Sequence, residues 1–247
     1  MDAEHTILDI LYEDDALLAV NKPPGIVVHP TYGHATGTLM NALLWHARDW
    51  PAASKPSLVG RLDKETSGAV LVAKHRAIHA ALQKTLASSH SEKAYLALVY
   101  GHVKKAHGRI DLPLGRAPGD RRRVVVDASG APSLTLFERI DHAPAPPIGL
   151  SLLKCRLMTG RMHQIRVHLG ARGWPIVGDP KYGSPEWLKI RDQTLAAALQ
   201  PWSRQALHAW RLSFAHPVTN ARVVIEAPVP ADFASLLRAA GLRVTGA

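Results

Sequence analysis

Short apolar runs separated by turns dominate the first part of the chain. Ile7–Ile10 and Leu17–Val20 have the length of strands, and Pro23-Pro24-Gly25 enforces a turn before Ile26-Val27-Val28. Leu39, Met40, Leu43 and Leu44 fall at helical spacing and predict a helix over Leu39–Ala47. Ser57–Val59 and Ala69–Ala73 read as strands enclosing a polar loop from Gly60 to Gly68, and the four-residue spacing of Ile78, Leu82 and Leu86 predicts a helix over His75–Leu86. From Ala94 onward the strand pattern prevails, at Tyr95–Tyr100, Arg109–Leu114, Arg123–Val126, Ser133–Ile140 and Leu150–Met158. Strands that follow one another without helices between them pair antiparallel, which indicates the α+β class and not a doubly wound parallel sheet. Thr159 predicts the cap of a helix from Arg161 to about Gly170, stopped by Gly173-Trp174-Pro175. Pro175–Pro185 reads as loop, Leu188–Leu199 as a surface helix, Leu207–Phe214 and Arg222–Ile225 as strands, and Ala231–Ala240 as a closing helix.

The chain shows no internal repeat and no low-complexity tract. Ala143–Pro147 is short enough to be a hairpin loop, so a single domain over residues 1–247 is expected, with no further module before Ile7 or after the closing helix.

Composition narrows the class of partner. With 47% apolar residues in 247, the chain builds a sizeable core. Lys and Arg number 30 against 20 Asp and Glu, a formal charge of +10, which favours polyanions and makes nucleic acid the first candidate, with mere basic solubility as the alternative. A single cysteine, Cys155, excludes an internal disulfide and a multi-cysteine zinc site and points to a reducing compartment. The N-terminus lacks an apolar signal region, and no apolar run approaches the ~18 residues of a membrane span. A soluble cytoplasmic protein, without a membrane association, is expected.

Three segments carry chemistry. In Arg61-Leu62-Asp63-Lys64-Glu65-Thr66-Ser67-Gly68 an aspartate sits in a polar loop between two apolar strands, and Arg61 favours its carboxylate form. Asp63 there acts as base or nucleophile, or else accepts turn hydrogen bonds from the amides of Thr66 or Ser67. In the segment Thr159 to Leu169, Met162, Ile165 and Leu169 form an apolar stripe with Arg166 at its edge. Arg166 needs an anionic partner, and Asp63, a phosphate and a structural carboxylate all remain open. The His163, Gln164 and Arg166 donors suit phosphate contacts. Between Gly101 and Val125, Lys104, Lys105, Arg109, Arg116, Arg121, Arg122 and Arg123 face only Asp111 and Asp120 in composition, as a phosphate-binding surface requires, although a solvated loop has the same pattern. His75 and His79 share a helix face without further ligands, and there is no Walker loop or dinucleotide fingerprint, so neither a metal nor a nucleotide cofactor is expected.

Taken in order, Asn21-Lys22-Pro23-Pro24-Gly25 to His29-Pro30, Gly60 to Gly68, Lys93-Ala94-Tyr95, Gly160 to His168, Pro175 to Gly183 and Leu207-His208-Ala209 to His216-Pro217 resemble the motifs of RluA-type pseudouridine synthases, over nearly the whole chain. The resemblance implies an isomerase that converts uridine to pseudouridine in ribosomal or transfer RNA. It implies an α+β fold with a mixed, largely antiparallel sheet, flanking helices and an RNA-binding cleft. No cofactor or metal is implied, and a monomer is expected. By the same resemblance Asp63 is the catalytic aspartate, Tyr95 packs on the target base, Arg166 pairs with the aspartate, and Arg61 replaces the flipped base in the RNA stack. Thr66, His163, Gln164 and the arginines Arg121, Arg122 and Arg123 join Arg61 as expected substrate contacts. Gly60 stands where the family usually has His, and Ala131 where many members have Lys. The S4-type domain that precedes the core in many members is not expected here, which leaves affinity to the catalytic domain. A non-catalytic RNA-binding protein on the same fold is the main alternative. An aspartyl-phosphate hydrolase is a weaker one, because Glu65 is a poor substitute for its second carboxylate.

Overall fold

A computed structural model describes residues 2–31 and 33–244. In chain order the elements are β1 (Ile10–Glu13), β2 (Leu17–Lys22), α1 (Leu39–His46), β3 (Ser57–Leu58), β4 (Ser67–Ala73), α2 (Arg76–Leu86), β5 (Glu92–Tyr100), β6 (His107–Asp111), β7 (Leu114–Ala117), β8 (Asp120–Val126), β9 (Leu134–Ala143), β10 (Leu150–Leu157), α3 (Gln164–Ala171), α4 (Gln193–Leu199), β11 (Leu207–Ala215), β12 (Arg222–Glu226) and α5 (Ala231–Ala239). The class is α+β, with antiparallel pairing prevailing. No helix among the described residues is long and apolar enough to cross a membrane. The chain divides into two compact units, Met1–Lys93 with Ala209–Pro228, and Ala94–His208 with Val229–Ala247.

The first unit is organised around β4. Every residue of this strand is buried, so the polar alternation of a half-exposed strand is missing. Its side chains still alternate by face. Ala69, Leu71 and Ala73 join Leu82 and Leu86 of α2 with Phe214, Val223 and Ile225, whereas Val70 and Val72 join Leu39, Met40 and Leu43 of α1. A strand covered on both faces reads as a near-continuous apolar run, here Ala69–Ala73 after the buried Ser67. It lies between β2 and β11, with β1 beyond β2, β12 on β11, and β3 on β4. The β2–β4 register runs from Leu17 opposite Ala73 to Lys22 opposite Gly68. The turn after Lys22 and the loop before Ser67 therefore leave the sheet at the same end. Helix α1 begins with a reciprocal cap in which the Asn41 amide donates to Thr38 Oγ1 and the Thr38 amide donates to Asn41 Oδ1.

In the second unit β10 is central, antiparallel to β5 on one side and to β9 on the other, and β6 follows β9. Cys155, opposite Tyr95 in this ladder, is fully buried, and its burial pushes the thiol pKa up to about 12. Strands β7 and β8 form a separate two-stranded ribbon. Val124 of β8 and Leu114 of β7 pack on Val167 of α3.

Beyond shifts of a few residues at strand ends, such as β8 starting at Asp120 and β9 running to Ala143, four elements differ from the sequence-based expectation. The first strand begins at Ile10, where the predicted run ended. Arg109–Leu114 is not one strand: pairing with β9 ends at Asp111, and Leu114 opens the ribbon with β8. The predicted helix Leu188–Leu199 is a 3-10 turn over Glu186–Lys189 followed by α4, whose start is set by Asp192 accepting from the amides of Thr194 and Leu195. Thr159 does not cap α3. Its hydroxyl donates to Gln164 Oε1 at 2.8 Å and accepts from the Leu134 amide at 2.9 Å, and the helix begins at Gln164, after His163 in a left-handed conformation (φ 54°).

Candidate active site

The Asp63 loop is held from behind by a buried cation. Lys22 is 0% exposed, and its ammonium donates to the carbonyls of Pro23 (2.7 Å), Ile26 (3.0 Å) and Lys64 (2.9 Å). The Gly25 amide also donates to the Lys64 carbonyl, at 2.9 Å. The proline-rich turn and the residue following Asp63 are thereby one hydrogen-bonded block, and an ammonium so deep in protein is tolerable only because carbonyl dipoles replace its water. Leu62 packs into the α1-side core with Val28 and Val70, which leaves Arg61 exposed and Asp63 half-buried on either side of it. The Thr66 amide donates to the Asp63 carbonyl at 3.1 Å and closes the turn.

Glycine delimits this loop at both ends. Gly60 has φ +96°, a backbone that L side chains rarely adopt, with open space around the position a Cβ would take. Gly68 has φ +113°, and a Cβ there would lie 2.2 Å from the Ala209 carbonyl oxygen. The Gly60 departure noted in the sequence is therefore the residue type this backbone favours. His29, in the same unit, has its pKa lowered by burial and by the charge of Arg61.

In the second unit Arg166 is 6% exposed and forms a fork with the fully buried Asp179 side chain, Nε to Oδ2 at 2.7 Å and Nη2 to Oδ1 at 2.8 Å. A structural carboxylate, one of the three partners left open by the sequence, is thus present. Burial pushes the Asp179 carboxyl pKa up, but the Arg166 hydrogen bonds and charge and the amides of Lys181 and Tyr182 outweigh it, and the net shift is downward. Tyr182 places its ring 5.1 Å from the Arg166 guanidinium carbon and 5.8 Å from that of Arg123. Its hydroxyl accepts from the Val124 amide at 2.9 Å and lies 2.8 Å from His163 Nδ1.

The structure thus gathers Arg166, His163 and Arg123 around one tyrosine. Arg121 and Arg122 are exposed on the same strand as Arg123. Tyr95 is half-buried on β5, where Ala94 and Leu96–Tyr100 are buried, so the strand presents this ring and hides its neighbours. Two expected substrate contacts fit a scaffold role instead. Gln164 is 2% exposed; its Nε2 donates to Leu134 O and Thr135 Oγ1, both at 3.0 Å, and its Oε1 accepts from the Thr159 hydroxyl and the Arg161 amide. All four hydrogen-bonding positions of the amide are filled inside the protein. Thr66 is likewise buried, behind the turn it closes.

Sequence reasoning missed Lys22, Asp179 and Tyr182. Asp179 carried a usable signal: it is the carboxylate of the Pro175–Pro185 loop, while Arg166 on an apolar stripe demanded an anion. Lys22 carried a weaker one, its position directly after the apolar run of β2. Tyr182 carried none, because the partners of its ring and hydroxyl are distant in sequence.

A pinned carboxylate loop in one unit, and a buried-arginine helix with a basic ribbon in the other, are the parts of an enzyme that works on a polyanion. Comparison with known proteins agrees. The chain matches the RNA pseudouridylate synthase family over residues 16–171. It is 40% identical over 238 residues to an uncharacterized RNA pseudouridine synthase of Bacillus subtilis, covering 95% of this chain and 73% of that protein. It is 43% identical over 239 residues to the ribosomal large subunit pseudouridine synthase D of Nitrosomonas europaea, covering 96% of this chain and 66% of that one. The solved structure of human RNA pseudouridylate synthase domain containing 1 superposes with a TM-score of 0.68 at 27% identity, covering 93% of this chain and 86% of that one. The human domain containing 4 protein, at 23% identity, shares the fold, with a TM-score of 0.75 over 95% of this chain and 93% of that one. The chain belongs to the RNA pseudouridylate synthase family, and its activity is the isomerisation of uridine in RNA to pseudouridine.

Proposed function

We propose that Asp63 is the catalytic carboxylate of this isomerisation, with Tyr95 against the target base and Arg166 as the charge partner of the reacting group. The observation that carries this reading is the fixing of the Asp63 loop by the buried Lys22 ammonium through the Lys64 carbonyl. A reacting carboxylate must be held in place, because a displacement of about 1 Å costs on the order of 10²-fold in rate.

The reaction breaks the bond from ribose C1′ to uracil N1, turns the base, and joins C1′ to C5. The C5 proton leaves and N1 gains one, so no external acceptor is needed. Asp63 serves either by attacking the sugar or base, or by removing a ribose proton to give a glycal. Taking the uridine out of its stack costs a few kcal/mol. Exposed Arg61 entering the vacated place and Tyr95 under the base offset part of this, at roughly 1–3 kcal/mol of stacking per base. His163 and the arginines Arg121, Arg122 and Arg123 hold backbone phosphates. The chain acts as a single catalytic domain and a monomer in the cytoplasm, without metal or cofactor. Its substrate is ribosomal RNA of the large subunit, a reading supported by the name of its Nitrosomonas relative.

The test uses RNA carrying tritium at uridine C5. Wild type releases tritium to water, whereas Asp63→Asn binds the RNA and releases none; turnover by the variant sinks the assignment. Mapping pseudouridines in ribosomal and transfer RNA of cells lacking the protein decides the substrate.

A further inference from the structure

We propose that Tyr182 is a positioning residue for the isomerisation, joining the basic β7–β8 ribbon to Arg166 so that RNA held on the ribbon and the orientation of Arg166 are coupled. The inference rests on the role proposed above for Arg166 and gives a part to a residue outside the expected site.

Tyr182 is tied to the ribbon, to His163 and to the Arg166–Asp179 pair. Its hydroxyl accepts the Val124 amide proton of β8, directly after Arg121, Arg122 and Arg123. The same hydroxyl lies 2.8 Å from Nδ1 of His163, the residue that precedes α3. The ring face lies against the Arg166 guanidinium and, at longer range, that of Arg123. Two cations share one ring because its face is electron-rich and because Asp179 neutralises Arg166. The Tyr182 amide donates to Asp179 Oδ1, the same oxygen that accepts from Arg166 Nη2. The ring and the carboxylate that hold Arg166 thus belong to one short loop.

The loop is itself fixed at both ends. Val177 donates to Leu98 O and accepts from the Ala206 amide, both at 2.9 Å, which attaches the residue before Gly178 to β5. A Cβ at Gly183 would lie 2.7 Å from the Asp179 carbonyl oxygen, so the turn closes tightly behind Tyr182. A second tie reaches the ribbon from the same loop, Lys181 Nζ to Arg122 O at 3.0 Å. A shift of the ribbon therefore pulls on the Tyr182 ring, and the ring limits where the guanidinium can settle. Phosphates that neutralise Arg121, Arg122 and Arg123 fix the ribbon and, through Tyr182, favour one setting of Arg166.

Single-turnover kinetics with saturating RNA, together with the RNA dissociation constant, test this. Tyr182→Leu removes hydroxyl and ring, and the single-turnover rate constant is expected to fall by about 30- to 100-fold. Tyr182→Phe keeps the ring and recovers most of that rate, while RNA binding stays weaker by up to about tenfold for the lost hydroxyl bridge. A purely structural tyrosine would lower the amplitude, the fraction of active molecules, and leave the rate constant of the active ones unchanged. That result for Tyr182→Leu overturns the coupling. Arg166→Lys separates the two claims. A full rate in Arg166→Lys overturns the role of Arg166 itself, whereas a slow Arg166→Lys beside a fast Tyr182→Leu overturns only the link.

Discussion

The buried ammonium of Lys22 and the backbone carbonyl of Lys64 are 2.9 Å apart, one residue beyond Asp63. Lys22→Met keeps much of the volume but leaves the carbonyls of Pro23, Ile26 and Lys64 without this donor. Leaving a buried acceptor without its partner costs about 1–3 kcal/mol, so urea unfolding should show a loss of at least that order. Tritium release at a temperature where the variant is folded should fall as well, because the loop has lost its anchor.

The two loop glycines separate backbone strain from steric overlap. Gly60→Ala has room for its methyl group and should lose only about 1–2 kcal/mol for the left-handed backbone. Gly68→Ala brings a carbon 2.2 Å from Ala209 O and should not yield folded protein at all. Expression and thermal melting of the pair check this contrast; equal effects would show that overlap at Gly68 is relieved by movement of β11.

His168 gives the protein an acid-sensitive joint. Its Nδ1 lies 2.9 Å from Thr135 Oγ1 and its Nε2 lies 3.0 Å from Leu112 O, and burial, with a smaller contribution from Arg172, lowers its pKa despite opposing effects of the Leu112 carbonyl and Asp111. The unfolded chain takes up a proton near the ordinary histidine value of about 6.5, before the folded protein does. This contribution to stability is therefore complete above that pH and is lost as the pH falls below it. Urea midpoints between pH 8 and 5 should drop more steeply for wild type than for His168→Gln.

The basic ribbon predicts a salt signature. Replacing Arg121, Arg122 and Arg123 with Ala should weaken RNA binding and flatten its salt dependence by about 0.7–0.9 for each phosphate that is no longer neutralised. Titrations at several salt concentrations measure the slope. An unchanged slope would mean that the charge excess serves solubility.

Breaking the Arg166–Asp179 fork should be costly from either side. Asp179→Asn removes the carboxylate that forks the buried Arg166 guanidinium, and a loss of about 3–5 kcal/mol is expected in chemical denaturation.

Much of the fold is legible in the order of apolar residues. The runs that became β2, β4, β5, β10 and β11 are apolar because helices or neighbouring strands cover them, and the spacing of Ile78, Leu82 and Leu86 marks the buried face of α2. The start of α3 was not legible, because Thr159 spends its hydroxyl on Gln164 and Leu134 rather than on a helix end. The candidate site divides in the same way. Asp63 and Arg166 stand in segments whose local chemistry is unusual, whereas Lys22 and Tyr182 matter through partners 42 and 58 positions away, Lys64 and Val124. Local pattern has no access to such pairs.

The burial of Cys155 has a practical consequence. Thiol reagents attack the thiolate, and a side chain with no solvent exposure and a pKa pushed up to about 12 offers almost none at neutral pH. A cysteine introduced on the exposed part of β8 would then be the site that a maleimide dye finds, with the native sulfur left in place. Fluorescence from such a dye would report RNA arriving at the ribbon in real time, in a protein whose interior chemistry is unaltered.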